Sequence, residues 1–229
     1  VHPGLYPDEA MNGNNALEAI KTNDFKIFYP ENNGREGLFI NIQALFLKFL
    51  LPENGHPEPW MLKLPSAIFG ILTVLGVFFL ARELFRNYHG NKIALLSSFF
   101  LAVSFWHVNF SRIGFRAIMA PFFLTWGIYF LLLSFRKLGS AKNRLLPLLA
   151  GTIYGLGFYS YIAYRATPIL ILAIMILSWL KNKNIKRHIL FASLCFIFAS
   201  IITVLPLLNY FIKNPADFFG RTAQISIFN

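Results

Sequence analysis

Asp8 and Glu9 are adjacent carboxylates in the segment YPDEA, which spans residues 6–10. A carboxylate held near a substrate hydroxyl can remove its proton, so we predict that the pair is catalytic, with one member as a general base. A structural interpretation is also open, because Pro7 disfavours helix before it and Asp8 can cap a helix that runs to about Lys21. Two adjacent acids do not define a metal site, so we predict none and leave a divalent-cation requirement open.

Arg35 and Glu36 form a second pair with chemical potential, flanked by glycines in the segment GREGLF at residues 34–39. A guanidinium presents a planar fork of donors that matches a phosphate group. We therefore predict that Arg35 and Glu36 bind the phosphate or the sugar of a lipid-linked substrate. The alternative is an interfacial arginine that only extends to lipid headgroups.

Three further arginines accompany aromatic residues at the ends of apolar segments. Arg112 and Arg116 lie four positions apart in FSRIGFR at residues 110–116, and one helical turn would place both on a common face. Arg165 ends the segment SYIAYR at residues 160–165. Such residues often serve only as membrane anchors. However, these three lie on the side of the membrane that is predicted below to be external, where arginines are less common. We therefore predict that Arg112, Arg116 and Arg165 contribute to substrate binding.

The elements that position these residues are predicted to be membrane helices. The chain is 56% hydrophobic and only 14% charged, whereas a soluble domain averages about 25% charged residues. An apolar run from Leu38 to Leu51 carries Lys48 and has the length of an interfacial helix. The composition therefore predicts an all-α, polytopic membrane protein with about six spans and an external loop with juxtamembrane helices. The six apolar segments are residues 62–81, 93–111, 117–135, 145–163, 166–180 and 189–211, of which the fifth is short.

The basic residues between these segments predict the orientation. They concentrate in alternate connections, which the positive-inside rule places in the cytoplasm, so residues 1–61 are predicted to lie outside a plasma (inner) membrane. Anionic headgroups account for the net charge of +11, and we predict membrane lipid but no nucleic acid as a partner. The basic residues of the three predicted cytoplasmic connections are Arg82, Arg86 and Lys92, then Arg136, Lys137, Lys142 and Arg144, then Lys181, Lys183, Lys186 and Arg187. Glu83 is the one acid in these connections.

The chain begins at Val1 and ends at Asn229, which leads us to expect a piece of a longer protein that is inactive by itself. We predict three parts: an external loop at residues 1–61, a helix bundle at 62–211 and the start of a further external segment at 212–229. The single cysteine, Cys195, cannot form an intrachain disulfide or a cysteine-based metal site.

Taken in order, these motifs resemble those of the polyprenyl-phosphate-sugar-dependent glycosyltransferases of the GT-C fold. That group includes bacterial and archaeal relatives of the protein O-mannosyltransferases and of the lipid A aminoarabinose transferase. Asp8-Glu9-Ala10 resembles the acidic pair of the first external loop of the family. The later matches are GREGLF, with Gly37 where proline is usual, KLPSA at residues 63–67, with Lys63 in place of arginine, ARELF at residues 81–85, and WHVNFSR at residues 106–112 followed by Arg116.

The resemblance implies a reaction. A polyprenyl-phosphate-linked sugar is the donor, an acceptor glycan, lipid or protein attacks its anomeric carbon on the outer face, and inversion is expected. In this interpretation Asp8 is the base or orients the acceptor, with Glu9 beside it, and Arg35 holds the lipid phosphate. Arg112, Arg116 and Arg165 are weaker candidates for the same work. No cofactor beyond the donor substrate is implied.

The sequence departs from the family pattern at one place, and one alternative function is open. Many relatives carry another acid soon after the turn of Arg116, whereas residues 117–123 contain none. The alternative function is that of a polytopic transporter or lipid flippase without transferase activity. A transporter more often places ionisable residues near the bilayer midplane, whereas the charges of this chain lie at the ends of the apolar segments.

Overall fold

The computed structural model describes residues 4–31, 34–52, 56–136 and 145–219. Its described residues are mainly helical, as predicted, with one two-stranded antiparallel hairpin. Lys137, Lys142 and Arg144, which were predicted to be cytoplasmic, lie outside the described residues, as does the segment from residue 220 onward. The elements are α1 (Pro7–Thr22), β1 (Phe28–Tyr29), β2 (Arg35–Glu36), α2 (Leu38–Leu50), α3 (Pro59–Leu84), α4 (Gly90–Ala102), α5 (Phe105–Arg112), α6 (Met119–Arg136), α7 (Leu146–Leu156), α8 (Thr167–Lys181) and α9 (Lys186–Lys213).

Within the described ranges, four helical segments are long and apolar enough to cross a membrane. A fifth is counted if the bent pair α4–α5 is one span, so the predicted number of six is reduced to four or five. These long segments match the first, third, fifth and sixth predicted spans. They are Pro59–Leu84, Arg116–Arg136, Ile162–Lys181 and Lys183–Lys213, each extended by short 3₁₀ turns where these adjoin the α-helix.

The second predicted span, 93–111, is not one straight helix. The axes of α4 and α5 differ by 59°, and the break falls at Ser104, whose φ of −65° and ψ of 126° are extended. Beyond the break, the imidazole Nε2 of His107 lies 3.1 Å from the carbonyl oxygen of Gly70 in α3. The helices α5 and α3 approach each other closely at Gly70, where an added Cβ would collide with the side chain of Ser111.

The lengths of the fourth and fifth predicted spans also differ from expectation. The apolar helix in the region 145–163 covers only Leu146–Tyr159, which is too short to count as a span. Conversely, the fifth segment, which was expected to be short, forms a span over Ile162–Lys181. A 3₁₀ helix at Ile162–Ala166 directly precedes α8 and lengthens it at its N-terminal end. Local apolar length therefore located the helices, but it did not predict the bend in the second segment or the short length of the fourth.

Small residues let α7 pack closely on α9. Gly151 and Gly155 are four positions apart, and a Cβ at Gly155 would lie 2.7 Å from Thr203 Cβ and 3.0 Å from the carbonyl oxygen of Ser200. Ser200 also donates a hydrogen bond of 3.1 Å to the carbonyl oxygen of Gly151. Such spacing of small residues is a common means of helix association in membranes.

The loop that precedes α3 forms a small layer of its own. The apolar run predicted to be a short helix forms α2, which buries Phe39, Ile40, Ala44 and Leu47 against its neighbours, and its interfacial position stays a prediction. A cluster of buried apolar side chains joins α1, α2 and the start of α3. This layer brings the acidic residues and Arg35 to the beginning of the spanning bundle.

Candidate active site between the first loop and the helix ends

Glu9 connects three parts of the structure. Its side chain is 3% exposed, and its Oε2 accepts a hydrogen bond of 2.9 Å from the backbone N–H of Tyr6. Its Oε1 accepts a hydrogen bond from the backbone N–H of Gly114, and Lys63 Nζ lies 3.8 Å from Oε2. Glu9 therefore joins α1 to the turn after α5 and to α3, which is a structural role.

The capping interpretation of Asp8 is wrong. The N-cap of α1 is Tyr6, and the acid that closes the capping box is Glu9, at the third helical position. The helix itself ends at Thr22, close to the predicted Lys21. Asp8 lies in the first turn of α1, and its side chain is exposed.

Asp8 borders a cavity of about 380 Å³. Phe110 of α5, and Ile113 and Phe115 from the turn that follows it, also line this cavity. Phe110 and Phe115 stack with ring centroids 5.5 Å apart and planes 23° apart. The arrangement places one exposed carboxylate beside an apolar, aromatic surface that is large enough to contact a substrate.

The hairpin presents Arg35 and Glu36. Tyr29 pairs with Arg35 and Phe28 with Glu36, and Gly34 adopts the left-handed region with φ of 76°, which glycine tolerates. After the strand, the N–H of Gly37 donates a hydrogen bond of 2.7 Å to the carbonyl oxygen of Ile27. A short hairpin thus fixes the backbone of both candidate residues.

Side chains around the hairpin hold it against α1 and α2. The guanidinium of Arg35, 4% exposed, donates to Asn12 Oδ1 of α1. The hydroxyl of Tyr29 donates a hydrogen bond of 2.9 Å to Asn41 Oδ1 of α2. Burial raises the pKa of the Tyr29 hydroxyl, so it remains a neutral donor in this contact.

Glu36 lies between two arginines from distant parts of the chain. Arg116 Nη1 is 3.0 Å from Glu36 Oε2, and both side chains are almost fully buried. Arg165 Nη2 is 3.4 Å from Glu36 Oε1, and its side chain is 24% exposed. One carboxylate therefore holds two guanidinium groups, which come from the turn before α6 and the turn before α8.

The surroundings of these arginines are aromatic. The guanidinium carbon of Arg165 lies 5.1 Å from the ring centroid of Phe211 and 4.6 Å from that of Phe218. Arg116 lies 5.8 Å from the ring of Tyr161. Aromatic faces stabilise a cation without neutralising it. Counted over these three side chains alone, Glu36 carries one negative charge against the two positive charges of Arg116 and Arg165.

Arg112 does not share a face with Arg116, so that expectation is wrong. The helix α5 ends at Arg112, and the backbone is extended at Ile113 and Phe115 before a 3₁₀ turn begins at Arg116. Arg112 is exposed, whereas Arg116 is buried against Glu36. The structure thus brings together Glu36, Arg116 and Arg165, and places Arg112 elsewhere.

Several residues of the site were not assigned a role from the sequence. Asn12 bonds to Arg35, Lys63 and Gly114 contact Glu9, and Gln43 lies in the same layer. Gln43 is fully buried, and its amide donates a hydrogen bond of 2.8 Å to the carbonyl oxygen of Leu62. A polar residue on the apolar face of α2, and a lysine at the start of an apolar span, were the available signals.

Metal binding has no candidate within the described residues. Over residues 4–31, 34–52, 56–136 and 145–219, no three His, Cys, Asp or Glu side chains are grouped so that they could hold a metal ion.

Comparison with known proteins gives one match. The profile of the family described as dolichyl-phosphate-mannose-protein mannosyltransferase matches residues 42–207, which is more than half of the chain. The chain belongs to this family. The dolichyl-phosphate-mannose-protein mannosyltransferase family consists of membrane glycosyltransferases that use a lipid-linked sugar, so the predicted resemblance is confirmed at this level. Searches of curated proteins and of solved structures return no significant match.

The mannosyltransferase match and the geometry complement each other. The match includes Arg116 and Arg165 but begins after the hairpin and α1. Glu36 binds both arginines, and Glu9 binds the backbone of Gly114. These contacts join the first loop to the matched helices. With its apolar spans, the chain is a multi-pass membrane protein of the mannosyltransferase family.

Proposed function

We propose that the protein transfers a sugar from a polyprenyl-phosphate donor to an acceptor on the outer face of the plasma (inner) membrane, with inversion at the anomeric carbon. The observation that carries the proposal is the grouping of Glu36, Arg116 and Arg165 at the same end of the helices as Asp8. The family membership supports the transferase class and gives no support to the transporter or flippase alternative.

Arg35, Arg116 and Arg165 are the proposed site for the phosphate of the donor. As the sugar leaves its carrier, negative charge grows on the phosphate, and fixed cations stabilise that charge more in the transition state than in the ground state. Glu36 acts through the arginines, because its two oxygens set the positions of two guanidinium groups. Arg165 is more exposed than Arg116, so it is the better placed of these two to reach a ligand. Arg112 is left outside this proposed site.

Asp8 is the proposed general base. Its carboxylate takes the proton of an acceptor hydroxyl, the acceptor oxygen bonds to the anomeric carbon, and the bond from that carbon to the phosphate oxygen breaks. The electron pair of that bond leaves with polyprenyl phosphate. Attack from the face opposite the leaving group inverts the carbon. Glu9 has a supporting part, because its buried carboxylate holds the first turn of α1 against Gly114 and Lys63.

The test is transfer of radiolabelled mannose from polyprenyl-phosphate-mannose in membranes that contain the full-length protein. Asp8→Asn removes the base but keeps the size of the side chain, and general-base catalysis contributes about 10²–10⁴-fold in rate. We expect a loss of that order. Asp24→Asn is the matched control, because Asp24 is also an exposed acid of the first loop.

The controls separate catalysis from folding. The amount of each variant in the membrane, and its unfolding temperature, should equal those of the wild type. If Asp8→Asn transfers mannose as fast as Asp24→Asn, Asp8 is not the base. If the wild type shows no transfer with this donor but transfers another lipid-linked sugar, the donor carries a sugar other than mannose and the transferase assignment stands.

A further inference from the structure

A second polar cavity, of about 720 Å³, lies at the other end of the bundle. Its walls come from the end of α3, the end of α6, and the end of α8 with the turn that follows. The helix α3 starts near Lys63 and the candidate active site, and its 26 residues rise about 39 Å before they reach this cavity. The cavity therefore lies on the opposite face of the membrane, beside the basic connections.

The cavity carries an excess of positive charge. Arg136 Nε lies 2.7 Å from Glu83 Oε1, so these two lining residues neutralise each other. Arg86 and Lys181 also line the cavity, and Glu83 is the one acid among the described residues of its wall. Two positive charges consequently remain, and they come from two different connections of the chain.

The rest of the lining has two kinds of surface. Asn87 and Ser178 supply amide and hydroxyl donors beside the cations. Leu132, Phe135 and Ile185 form an apolar part of the same wall. A soluble anion would use only the polar part, whereas an amphiphile with a phosphate head and acyl chains would use both. Basic pockets between transmembrane helices on the cytoplasmic side are suited to anionic headgroups.

We propose that this cavity binds the phosphate headgroup of an anionic phospholipid in the leaflet opposite the active site. The positive-inside rule explains an excess of basic residues anywhere in the connections. It does not require that Arg86 and Lys181, about 95 positions apart in the chain, meet in one cavity with an apolar wall. The bound lipid joins the ends of α3, α6 and α8, so it stabilises the folded protein.

The test measures thermal unfolding of the full-length protein in phosphatidylcholine vesicles with and without phosphatidylglycerol. We expect phosphatidylglycerol to raise the Tm of the wild type by a few degrees. The double variant Arg86→Gln/Lys181→Gln should lose this rise. Its matched control is Lys183→Gln/Arg187→Gln, which removes the same charge from exposed residues outside the cavity wall and should keep the rise.

Three outcomes would overturn the proposal. Equal loss of the rise in both double variants would mean that lipid acts through general charge. An equal rise with free glycerol 3-phosphate would mean that the cavity binds a soluble anion. If the cavity variant does not fold, native mass spectrometry of the wild type decides: retained phosphatidylglycerol in preference to phosphatidylcholine is expected, and no preference refutes the site.

Discussion

The buried pair Glu36–Arg116 allows a quantitative prediction. Its atoms are 3.0 Å apart, and each side chain is 3–4% exposed. Removing one partner of such a pair leaves a buried charge and costs about 3–5 kcal/mol. Because Arg165 still contacts Glu36 in the Arg116→Gln variant, we expect a loss at the lower end of that range, about 3 kcal/mol. Arg165→Gln should cost about 1 kcal/mol or less, because Arg165 is 24% exposed and lies 3.4 Å from Glu36.

A double-mutant cycle isolates the interaction. Glu36→Gln and Arg116→Gln each leave a charge that has lost its nearest partner, whereas the double variant removes both charges. The free energy of unfolding lost in the double variant should then be about 1–3 kcal/mol smaller than the sum of the single losses. The assay is SDS-induced unfolding of the wild type, the two single variants and the double variant in mixed micelles.

The cycle refutes the packing of the hairpin if it gives additive losses. A coupling energy within about 0.5 kcal/mol of zero is the value for residues that do not interact. In that case Glu36 would not hold Arg116, and the proposed phosphate site would lose its geometry.

Two further predictions concern the hairpin and the orientation. Gly37→Ala should destabilise the protein by about 1–3 kcal/mol, because its Cβ would collide with the carbonyl oxygen of Lys26, while Gly4→Ala, with open space around it, should be neutral in the same unfolding assay. In a Cys195→Ala background, an impermeant thiol reagent should label Asp24→Cys from outside and Lys183→Cys only after permeabilisation, and the reverse labelling would contradict the topology.

The sequence predicted the parts of the fold that depend on local composition. Apolar length predicted most of the spans, and the short length of the apolar run from Leu38 to Leu51 predicted a separate short helix, which is α2. It also proposed Glu36, Arg116 and Arg165 as site residues, and the structure places them together. Glu36 was identified from the GREGLF motif. Arg116 and Arg165 were identified because arginines are unusual at the outer ends of spans.

Contacts between distant residues could not be predicted in this way. Glu9 and Gly114 are 105 positions apart, so no local pattern shows that Glu9 is structural while Asp8 faces a cavity. The bend between α4 and α5 occurs beside a contact of His107 with Gly70, 37 positions away, and the separation of Arg112 from Arg116 follows from where α5 ends. Tertiary packing decides each of these features.

The central claim is that Asp8 and the arginine cluster are the two halves of one transfer site. Initial rates of transfer against donor concentration test it most directly, for the wild type, Asp8→Asn and Arg165→Gln, with Lys21→Gln as a control at an exposed position of the first loop. We predict that Asp8→Asn lowers kcat with the donor KM little changed, and that Arg165→Gln raises the donor KM. An unchanged donor KM in Arg165→Gln, together with an unchanged kcat in Asp8→Asn, would contradict the account.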